Sequence, residues 1–448
     1  MTRRFGTDGI RDLAGRGALA PAEVLALGRV LGALARAGRC GARKGAPVLI
    51  GRDTRASGPV IETLLAKGLA EQGIEVVLAG VIPTPGVAWL VRRRGFALGI
   101  VVSASHNPAE YNGIKVLDAK GLKLSLAQEA GLERRLDRGA PLRPAGRGAP
   151  VRPAPDLVAA YESFLRGRLP RRALTGRLVA VDTAHGATAG IFQRCLAHWG
   201  ARAVSLGDAP DGTNINRGVG ATAPRALAVA VRRARAQAGV AFDGDGDRVV
   251  FVDERGEVLD GDALLYVIAK DLLARRRWPH RTVVATEISN LGLDRAIGAL
   301  GGRVVRTPVG DRHVSTRMRE GGFVLGGESS GHLILPGAGG TGDGMLAATR
   351  ILDILRRTGK PLSRLAAGLV RFPQVSRNVR VSRKPSLRSL PALARAMDLG
   401  EKALGREGRL MVRYSGTEPL LRILAEGPDR RLLEDVTAVV ADAAKGLA

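Results

Sequence analysis

Cysteine is nearly absent: Cys40 and Cys195 stand alone among 448 residues, far apart and without metal-type spacing, so neither a disulfide framework nor a thiolate zinc site can be built from them. Both are expected as free thiols. Aromatic residues make up only 3%, which leaves few platforms for stacking nucleobases. No apolar stretch approaches the roughly 18 to 20 residues of a membrane span, and the N-terminus, MTRRFGTDGIRD, turns polar before any signal-like segment begins. A cytoplasmic location is expected. Acidic residues are outnumbered, 42 against 69 Lys and Arg, for a formal net charge of +27. Such an excess points to anionic partners. Only 10 of the 69 are lysine, however, and with 60 glycines the excess reads as an Arg, Ala and Gly bias spread over the surface. Anionic metabolites are therefore the expected partners, with no nucleic acid and no membrane.

What is present suits a globular protein. Hydrophobic residues are 45% and charged residues 25%, and 448 residues hold roughly two to four domains. The repeated rhythm is a short β-branched run, a Gly or Pro turn, then an Ala, Leu and Arg stretch with helical spacing, which predicts an α/β fold. One unit is PVLIGRDTR (47–55), a helix over 59–73 and IEVVLAG (74–80). A second is LVAVDTAHGA (178–187) before IFQRCLAHWG, with Gly200 as the helix stop, and a third runs from TVVATEISN (282–290) to RVVRTPVG (303–310). Composition loosens at 138–155, 253–262 and 371–385. The expected division is three similar α/β domains, 1–153, 154–254 and 255–370, followed by an α+β domain, 371–448, in which one helix, one strand and a final helix follow the last break.

Four turns concentrate chemistry. In VVSASHNPAEYNGIK (101–115) an apolar strand ends on Ser103, Ala104, Ser105, His106, Asn107 and Pro108, presenting a hydroxyl at a strand end, where α/β proteins place their sites. No third partner makes it a hydrolase triad, and a polar turn capping a helix is the alternative. In VAFDGDGDRVVFVD (240–253), Asp243, Asp245 and Asp247 alternate with glycines between β-branched strands. Carboxylates this close repel, and a hard divalent cation relieves them. An EF-hand does not fit, because its sixth position would be Arg248 and the flanks read as strands. Arg248 is placed to clamp a phosphate that supplies a further oxygen to such an ion. In FVLGGESSGHLIL (323–335), Glu328 and Ser330 suit vicinal sugar hydroxyls and His332 suits proton transfer, beside the plainer reading of a glycine-rich turn with a satisfied carboxylate. In RYSGTEPLLRI (413–423), Arg413, Ser415, Thr417 and Arg422, with Gly416 exposing backbone amides, suit a phosphate monoester, the alternative being a basic β-turn. FGTDGIRD (5–12) delivers Arg11 and NGIK delivers Lys115, either as cations for phosphoryl oxygens or as surface charges.

Taken in order, FGTDGIR, SASHNP with NGIK, DGDGDR, GESSGH and RYSGTEP resemble the signature set of the α-D-phosphohexomutase superfamily, over residues 5–422 and so nearly the whole chain. FGTDGIR, the NIN at 214–216, VGDRHV (309–314) and SGTEP resemble its amino-sugar branch. Ser329 stands where GEQSGH has Gln, His313 where GDRYV has Tyr, Ile288 where the MSN turn has Met, and Asp12 at the last position of GIRG; a phosphomannomutase/phosphoglucomutase branch is the alternative. A non-catalytic basic binding protein is set aside because Ser105, the three aspartates and Lys115 are all present. The resemblance implies that the four domains surround a central cleft and carry, in turn, a phosphoserine loop, a metal-binding loop, a sugar-binding loop and a phosphate-binding loop. It implies a phosphoryl group on Ser105, and Mg2+ held by Ser105, Asp243, Asp245 and Asp247. Arg11, His106, Lys115, Arg248 and His332 would serve the transfer, with Lys115, His106 and His332 all open as the proton carrier. Glu328, Ser330, Arg413, Ser415, Gly416, Thr417 and Arg422 would hold the phosphosugar. The implied reaction interconverts glucosamine 6-phosphate and glucosamine 1-phosphate through a 1,6-bisphosphate, towards UDP-N-acetylglucosamine and peptidoglycan precursors. Glucosamine 1,6-bisphosphate or glucose 1,6-bisphosphate would prime it, and the enzyme would be a monomer or homodimer.

Overall fold

The apolar runs VLIG and LGIVV form the buried middle of a seven-stranded mixed sheet, as expected of strands covered on both faces. Its strands are β1 (Phe5–Gly6), β2 (Gly9–Leu13), β3 (Val48–Arg52), β4 (Val76–Val81), β5 (Leu98–Val102), β6 (Tyr111–Leu117) and β7 (Val151–Pro153), in the order β1-β2-β6-β5-β3-β4-β7. This is a computed structural model, and it describes residues 4–6, 8–138, 148–337, 339–415 and 419–447. The second sheet holds β8 (Leu178–Asp182), β9 (Arg202–Leu206), β10 (Ala238–Phe242), β11 (Val249–Val252) and β12 (Val258–Leu259), ordered β12-β11-β10-β8-β9. The third holds β13 (Thr282–Thr286), β14 (Arg303–Thr307), β15 (Gly326–Gly327) and β16 (Leu333–Ile334), ordered β14-β13-β15-β16.

One local plan recurs in these three sheets. A strand parallel to its inner neighbour ends, a polar turn follows, and the chain returns antiparallel: β5 to β6, β10 to β11 and β15 to β16. The SASHNP, DGDGDR and GESSGH turns are these three connections. Each motif therefore sits at the carboxyl end of a strand parallel to its neighbour, where a sheet leaves side chains free to meet a ligand. Helix caps pin the elements around them. Ser125 and Gln128 form a reciprocal capping box on the helix Leu126–Asp137, and Asp260 and Asp343 cap Gly261–Ala274 and Gly344–Thr358. No described helix is long and apolar enough to cross a membrane. Cys195 is buried, Cys40 is half-buried, and neither is disulfide-bonded.

The chain groups into two units, one of Met1–Ile288 with Leu300–Ala367 and one of Ser289–Ala299 with Gly368–Ala448. In the second, β17 (Gln374–Arg380), β18 (Arg409–Tyr414) and β19 (Leu420–Glu426) make an antiparallel sheet ordered β17-β19-β18. Leu393, Met397, Leu421, Ile423 and Val440 form its core with the helices Pro391–Leu404 and Arg430–Ala443. This is the expected α+β pattern, with differences in detail. The single strand expected over RLMVRYSGTEPLLRILAE is a hairpin of two. The loosened stretch 371–385 contains β17, in which Val375 and Val379 are half-buried and Arg377, between them on the same face, is exposed. Arg377 hides the alternation: it is exposed, and its Nε donates to Thr437 Oγ1 on the last helix at 3.2 Å. Residue 254 falls in the turn between β11 and β12, so the second sheet continues past it to Leu259. Within the Pro- and Gly-rich stretch 138–155, residues 139–147 lie outside the described residues, and Val151–Pro153 adds an edge strand, the place in a sheet where proline is tolerated.

Candidate active site

Ser105 is buried at the carboxyl end of β5 with φ +54, a left-handed conformation that costs a non-glycine residue about 1 kcal/mol and concentrates at functional sites. Its surroundings hold it there. The Ser105 N–H donates to Ser103 Oγ (2.8 Å), which donates to Asp53 Oδ2 (2.6 Å). Arg55, fully buried, pairs through Nε with Asp53 (2.9 Å) and donates to the carbonyls of Ser105 (3.0 Å), Asn107 (2.8 Å), Tyr111 (2.9 Å) and Pro108. Asn216, the last residue of the NIN motif, donates from Nδ2 to the Ser105 and Asn107 carbonyls at 2.9 and 3.1 Å. Gly244 of the acidic turn also passes close, since a Cβ there would lie 2.5 Å from the Ser105 carbonyl oxygen. Removing the guanidinium by Arg55→Met strands these carbonyls and leaves Asp53 as an unpaired buried charge, so we expect a loss of about 3 to 5 kcal/mol of stability. Thermal unfolding checks this, and an unchanged midpoint contradicts it.

The acidic turn meets this loop directly. Ser105 Oγ donates to Asp243 Oδ2 at 2.6 Å, and ligand atoms of Asp243, Asp245 and Asp247 all lie within 4.8 Å of one another, with all three residues buried. Burial, then the charges of Asp247 and Asp245, push the Asp243 carboxyl up to about 8. Asp245 Oδ1 and Asp247 Oδ1 are buried without hydrogen-bond partners. A triad of crowded carboxylates with two oxygens outside any hydrogen bond is a donor set that fits a hard divalent cation. Lys115, on β6, balances the outer side: Nζ lies 2.8 Å from Asp245, 3.0 Å from Asp247 and 3.0 Å from Asp8. Burial opposes its charge, yet these acids hold its pKa well above the ordinary lysine value, which keeps it a cation and unsuits it as a base in this state. The His106 imidazole, its Nδ1 3.3 Å from Ser105 Oγ, is pushed down to about 4 by burial, Arg248 and Arg11, and is neutral. Arg11 Nη1 donates to Asn107 Oδ1 at 3.2 Å and Nη2 pairs with Asp8, whereas the Arg248 Nε stands 4.0 Å from Asp247. The Nε atoms of Arg11 and Arg248 are buried with no hydrogen-bond partner, two donors placed for an anion beside Ser105.

The sugar-type turn packs onto the acidic one. Val249, which opens β11, donates its N–H to the Gly331 carbonyl at 3.0 Å, and Gly331 has φ +92 with space for no Cβ, which would lie 2.2 Å from the Val249 oxygen. Glu328 accepts the Gly310 N–H at 3.0 Å, and Ser330, exposed, lies 3.5 Å from its other oxygen. His332 is buried between acids, with Nδ1 3.7 Å from Asp247 and Nε2 3.2 Å from Asp311. Burial alone would lower its pKa; Asp311 and Asp247 overcome that and raise it to about 10. The Gly342 N–H also points at Nε2 from 2.9 Å, so donation to Asp311 and acceptance from Gly342 are alternatives, and the flanking acids favour the first.

In the C-terminal unit, Arg413 of β18 faces Arg422 of β19 across the hairpin. Like charges directly opposite are unfavourable unless an anion joins them. The Ser415 N–H donates to the Leu420 carbonyl (2.8 Å), and Lys384 Nζ donates to the Ser415 carbonyl (2.6 Å). Gly416 and Thr417 lie outside the described residues. The structure thus brings Ser105, His106, Arg11, Lys115, Arg248, the three aspartates and His332 into one neighbourhood, with Glu328 and Ser330 on the adjoining turn. Sequence reading passed over Asp8, Asp53, Arg55, Lys123, Asp311 and Lys384. Asp8 and Asp311 lay inside quoted motifs, and Asp53 and Arg55 sat in GRDTR immediately after a strand, which was the available signal.

Comparison with known proteins identifies the family. Domains I, II and III of the phosphoglucomutase/phosphomannomutase alpha/beta/alpha family match residues 2–142, 161–256 and 260–372, and its C-terminal domain matches 377–443. The phosphoglucosamine mutase of Anaeromyxobacter dehalogenans is 44% identical over 444 residues, covering 96% of each chain, and that of Bacillus licheniformis is 42% identical over 447 residues, covering 99% of each. A phosphoglucomutase/phosphomannomutase family protein from Burkholderia thailandensis superimposes with a TM-score of 0.82 at 25% identity, covering 100% of this chain and 98% of that one. The Aspergillus fumigatus N-acetylphosphoglucosamine mutase in complex with GlcNAc-6P and magnesium shares the fold, with a TM-score of 0.66 at 18% identity over 99% of this chain and 96% of that one. Motif order, buried acidic triad and full-length similarity converge, and the chain belongs to the phosphoglucosamine mutase family of the α-D-phosphohexomutases.

Proposed function

We propose that this enzyme interconverts glucosamine 6-phosphate and glucosamine 1-phosphate by passing a phosphoryl group on and off Ser105. The observation that carries the reading is Ser105 Oγ, 2.6 Å from Asp243 at the edge of the acidic triad, with unsatisfied guanidinium donors of Arg11 and Arg248 close by. In the forward direction the bond from phosphorus to Ser105 Oγ breaks and a bond to the sugar O1 forms, while O1 gives up its proton and Ser105 Oγ takes one up to become a hydroxyl again. The resulting 1,6-bisphosphate turns over, the bond from phosphorus to O6 breaks as a bond to Ser105 Oγ forms, and the proton that Oγ gives up is balanced by the one O6 takes. Ser105, Asp243, Asp245 and Asp247 would hold Mg2+, which when bound supplies positive charge against the phosphoryl oxygens. Lys115 stays cationic and steadies the acids behind the transferring group. Arg11 and Arg248 donate to its oxygens, and His106 stands beside Oγ as the neutral imidazole of the loop. His332 belongs to the same machinery from the sugar-type turn, where Glu328 and Ser330 hold hydroxyls that lie alike in both sugar orientations. The phosphate that is not reacting is assigned to Arg413, Ser415, Gly416, Thr417 and Arg422. The four loops belong to four proposed domains, divided near residues 154, 260 and 371. Glucosamine 1,6-bisphosphate or glucose 1,6-bisphosphate is the proposed primer, and the setting is the cytoplasm, in supply of UDP-N-acetylglucosamine.

A coupled assay of the purified, phosphorylated protein on glucosamine, mannose and glucose 6-phosphates tests the substrate. Preference for the amino sugar is expected; preference for a neutral sugar keeps the chemistry and moves the enzyme to the phosphomannomutase/phosphoglucomutase branch. Arg413→Ala is expected to weaken binding of glucose 1,6-bisphosphate by about 10- to 100-fold, the value of a charge-assisted hydrogen-bond pair. Titration calorimetry reads this directly, and unchanged affinity removes Arg413 from the phosphate site.

A further inference from the structure

Arg11, Lys115 and His332 are held by acids, and those acids are joined by a lysine that has no part in the account above. Lys123 pairs with Leu117 in an isolated antiparallel bridge, closing a tight turn in which Asp118 Oδ1 accepts the N–H groups of Lys120 (2.8 Å) and Leu122 (3.0 Å). Its side chain is 8% exposed, and Nζ lies 2.7 Å from Asp311 Oδ2 while also pairing with Asp8 Oδ1. The other oxygen of Asp8 takes Lys115 (3.0 Å) and Arg11. Asp311 faces His332 Nε2 at 3.2 Å, His332 Nδ1 lies 3.7 Å from Asp247, and Asp247 returns to Lys115 at 3.0 Å. Asp8, Lys115, Asp247, His332, Asp311 and Lys123 therefore alternate acid and base around a closed ring. Every member except Lys123 lies within one of the motifs FGTDGIR, NGIK, DGDGDR, GESSGH and VGDRHV.

We propose that Lys123 and Asp311 are positioning residues for phosphoryl transfer, a buried ion pair that sets where Arg11, Lys115 and His332 stand; the inference rests on the mutase reading above. Neither residue pairs with Ser105, Asp243 or Asp245, so they act through their neighbours. Without the Lys123 charge, Asp8 and Asp311 lose the cation they share. Asp8 then draws Lys115 and Arg11 towards itself, and Asp311 draws His332. Lys115, Lys123, His332 and Asp311 are largely shielded from solvent, so these pulls are weakly screened at that part of the ring. A second buried ion pair is available for comparison on the helix that Asp311 opens (Asp311–Gly321): Arg312 makes a two-pronged pair with Glu129, at 2.9 Å through Nη1 and again through Nη2, and this pair is not a link of the ring.

The test measures kcat, KM and melting temperature of the full, phosphorylated chain on glucosamine 6-phosphate for wild type, Lys123→Met, Lys123→Arg, Asp311→Asn and Glu129→Gln. Lys123→Met is expected to lower kcat by about 10- to 100-fold with KM within about twofold, Lys123→Arg to recover part of the loss, and Glu129→Gln to lower the melting temperature while keeping kcat. Should Lys123→Met not fold, Asp311→Asn reads the same link from its other end, with the same fall in kcat expected. A wild-type kcat in the folded Lys123 or Asp311 variants, a change confined to KM, or an equal loss of kcat in Glu129→Gln overturns the inference while leaving an active wild type. A wild type inactive on every hexose phosphate overturns the mutase reading and this inference together.

Discussion

Ser105→Ala is expected to leave a folded chain with almost no mutase turnover, a fall in kcat of about 10,000-fold or more, or some 5 kcal/mol of barrier. The size follows from the chemistry. No neighbouring group replaces a hydroxyl that both accepts and returns the phosphoryl group: beside Ser105 Oγ stand the neutral imidazole of His106 and the Asp243 carboxyl of the acidic turn, and neither is a hydroxyl. The fold is expected to survive, because the loop is held from below by Arg55 and Asn216 through main-chain carbonyls that the substitution keeps. Loss of one hydrogen bond to Asp243 costs about 1 kcal/mol, a shift of a few degrees in melting temperature. Kinetics on the purified variant beside its melting curve check both halves. Near-normal turnover contradicts the nucleophile assignment, and wholesale unfolding contradicts the account of the loop.

Removal of the divalent cation is expected to be almost as severe. EDTA should bring turnover to background and Mg2+ should restore it, since three buried carboxylates lie within 4.8 Å of one another and Asp245 Oδ1 and Asp247 Oδ1 have no hydrogen-bond partner. Asp245→Asn isolates this effect. Its Oδ2 accepts from Thr84 Oγ1 and Lys115, contacts that the amide oxygen can keep, while Oδ1, which has no partner, is the atom offered to a cation. The variant should melt near the wild type without metal and lose turnover by about 100-fold or more. Added Mg2+ should raise the wild-type melting temperature, by an amount equivalent to about 2.7 kcal/mol at a hundred times the dissociation constant, and leave the variant unmoved. Chelator-insensitive turnover, or an equal Mg2+ response in the variant, contradicts the metal site.

The chemistry was legible in the sequence because it is local. Each motif occupies one connection between a strand and its antiparallel neighbour, so DGDGDR places three carboxylates in a single turn, and SASHNP places one hydroxyl at a strand end. The groups that hold those turns were not legible, for a physical reason. Arg55 reaches the carbonyls of residues 105 to 111, Lys123 reaches Asp8 and Asp311, and Asn216 reaches Ser105. These are partnerships across long stretches of chain that leave no periodic trace. The fold shows the same division. The parallel strands β3, β5 and β10 announced themselves as apolar runs, whereas β17 was masked by an arginine between its two valines, and β7 by the proline that an edge strand admits.

The most direct measurement follows the phosphoryl group itself. The protein is labelled with radioactive phosphate, the modified residue is mapped by peptide mass spectrometry, and the labelled enzyme is mixed with glucosamine 6-phosphate in a single turnover with Mg2+. The account predicts label on Ser105 that moves to glucosamine 1,6-bisphosphate as fast as steady-state turnover requires. Label that sits on another residue, or that stays on Ser105 while glucosamine 1-phosphate accumulates, contradicts it.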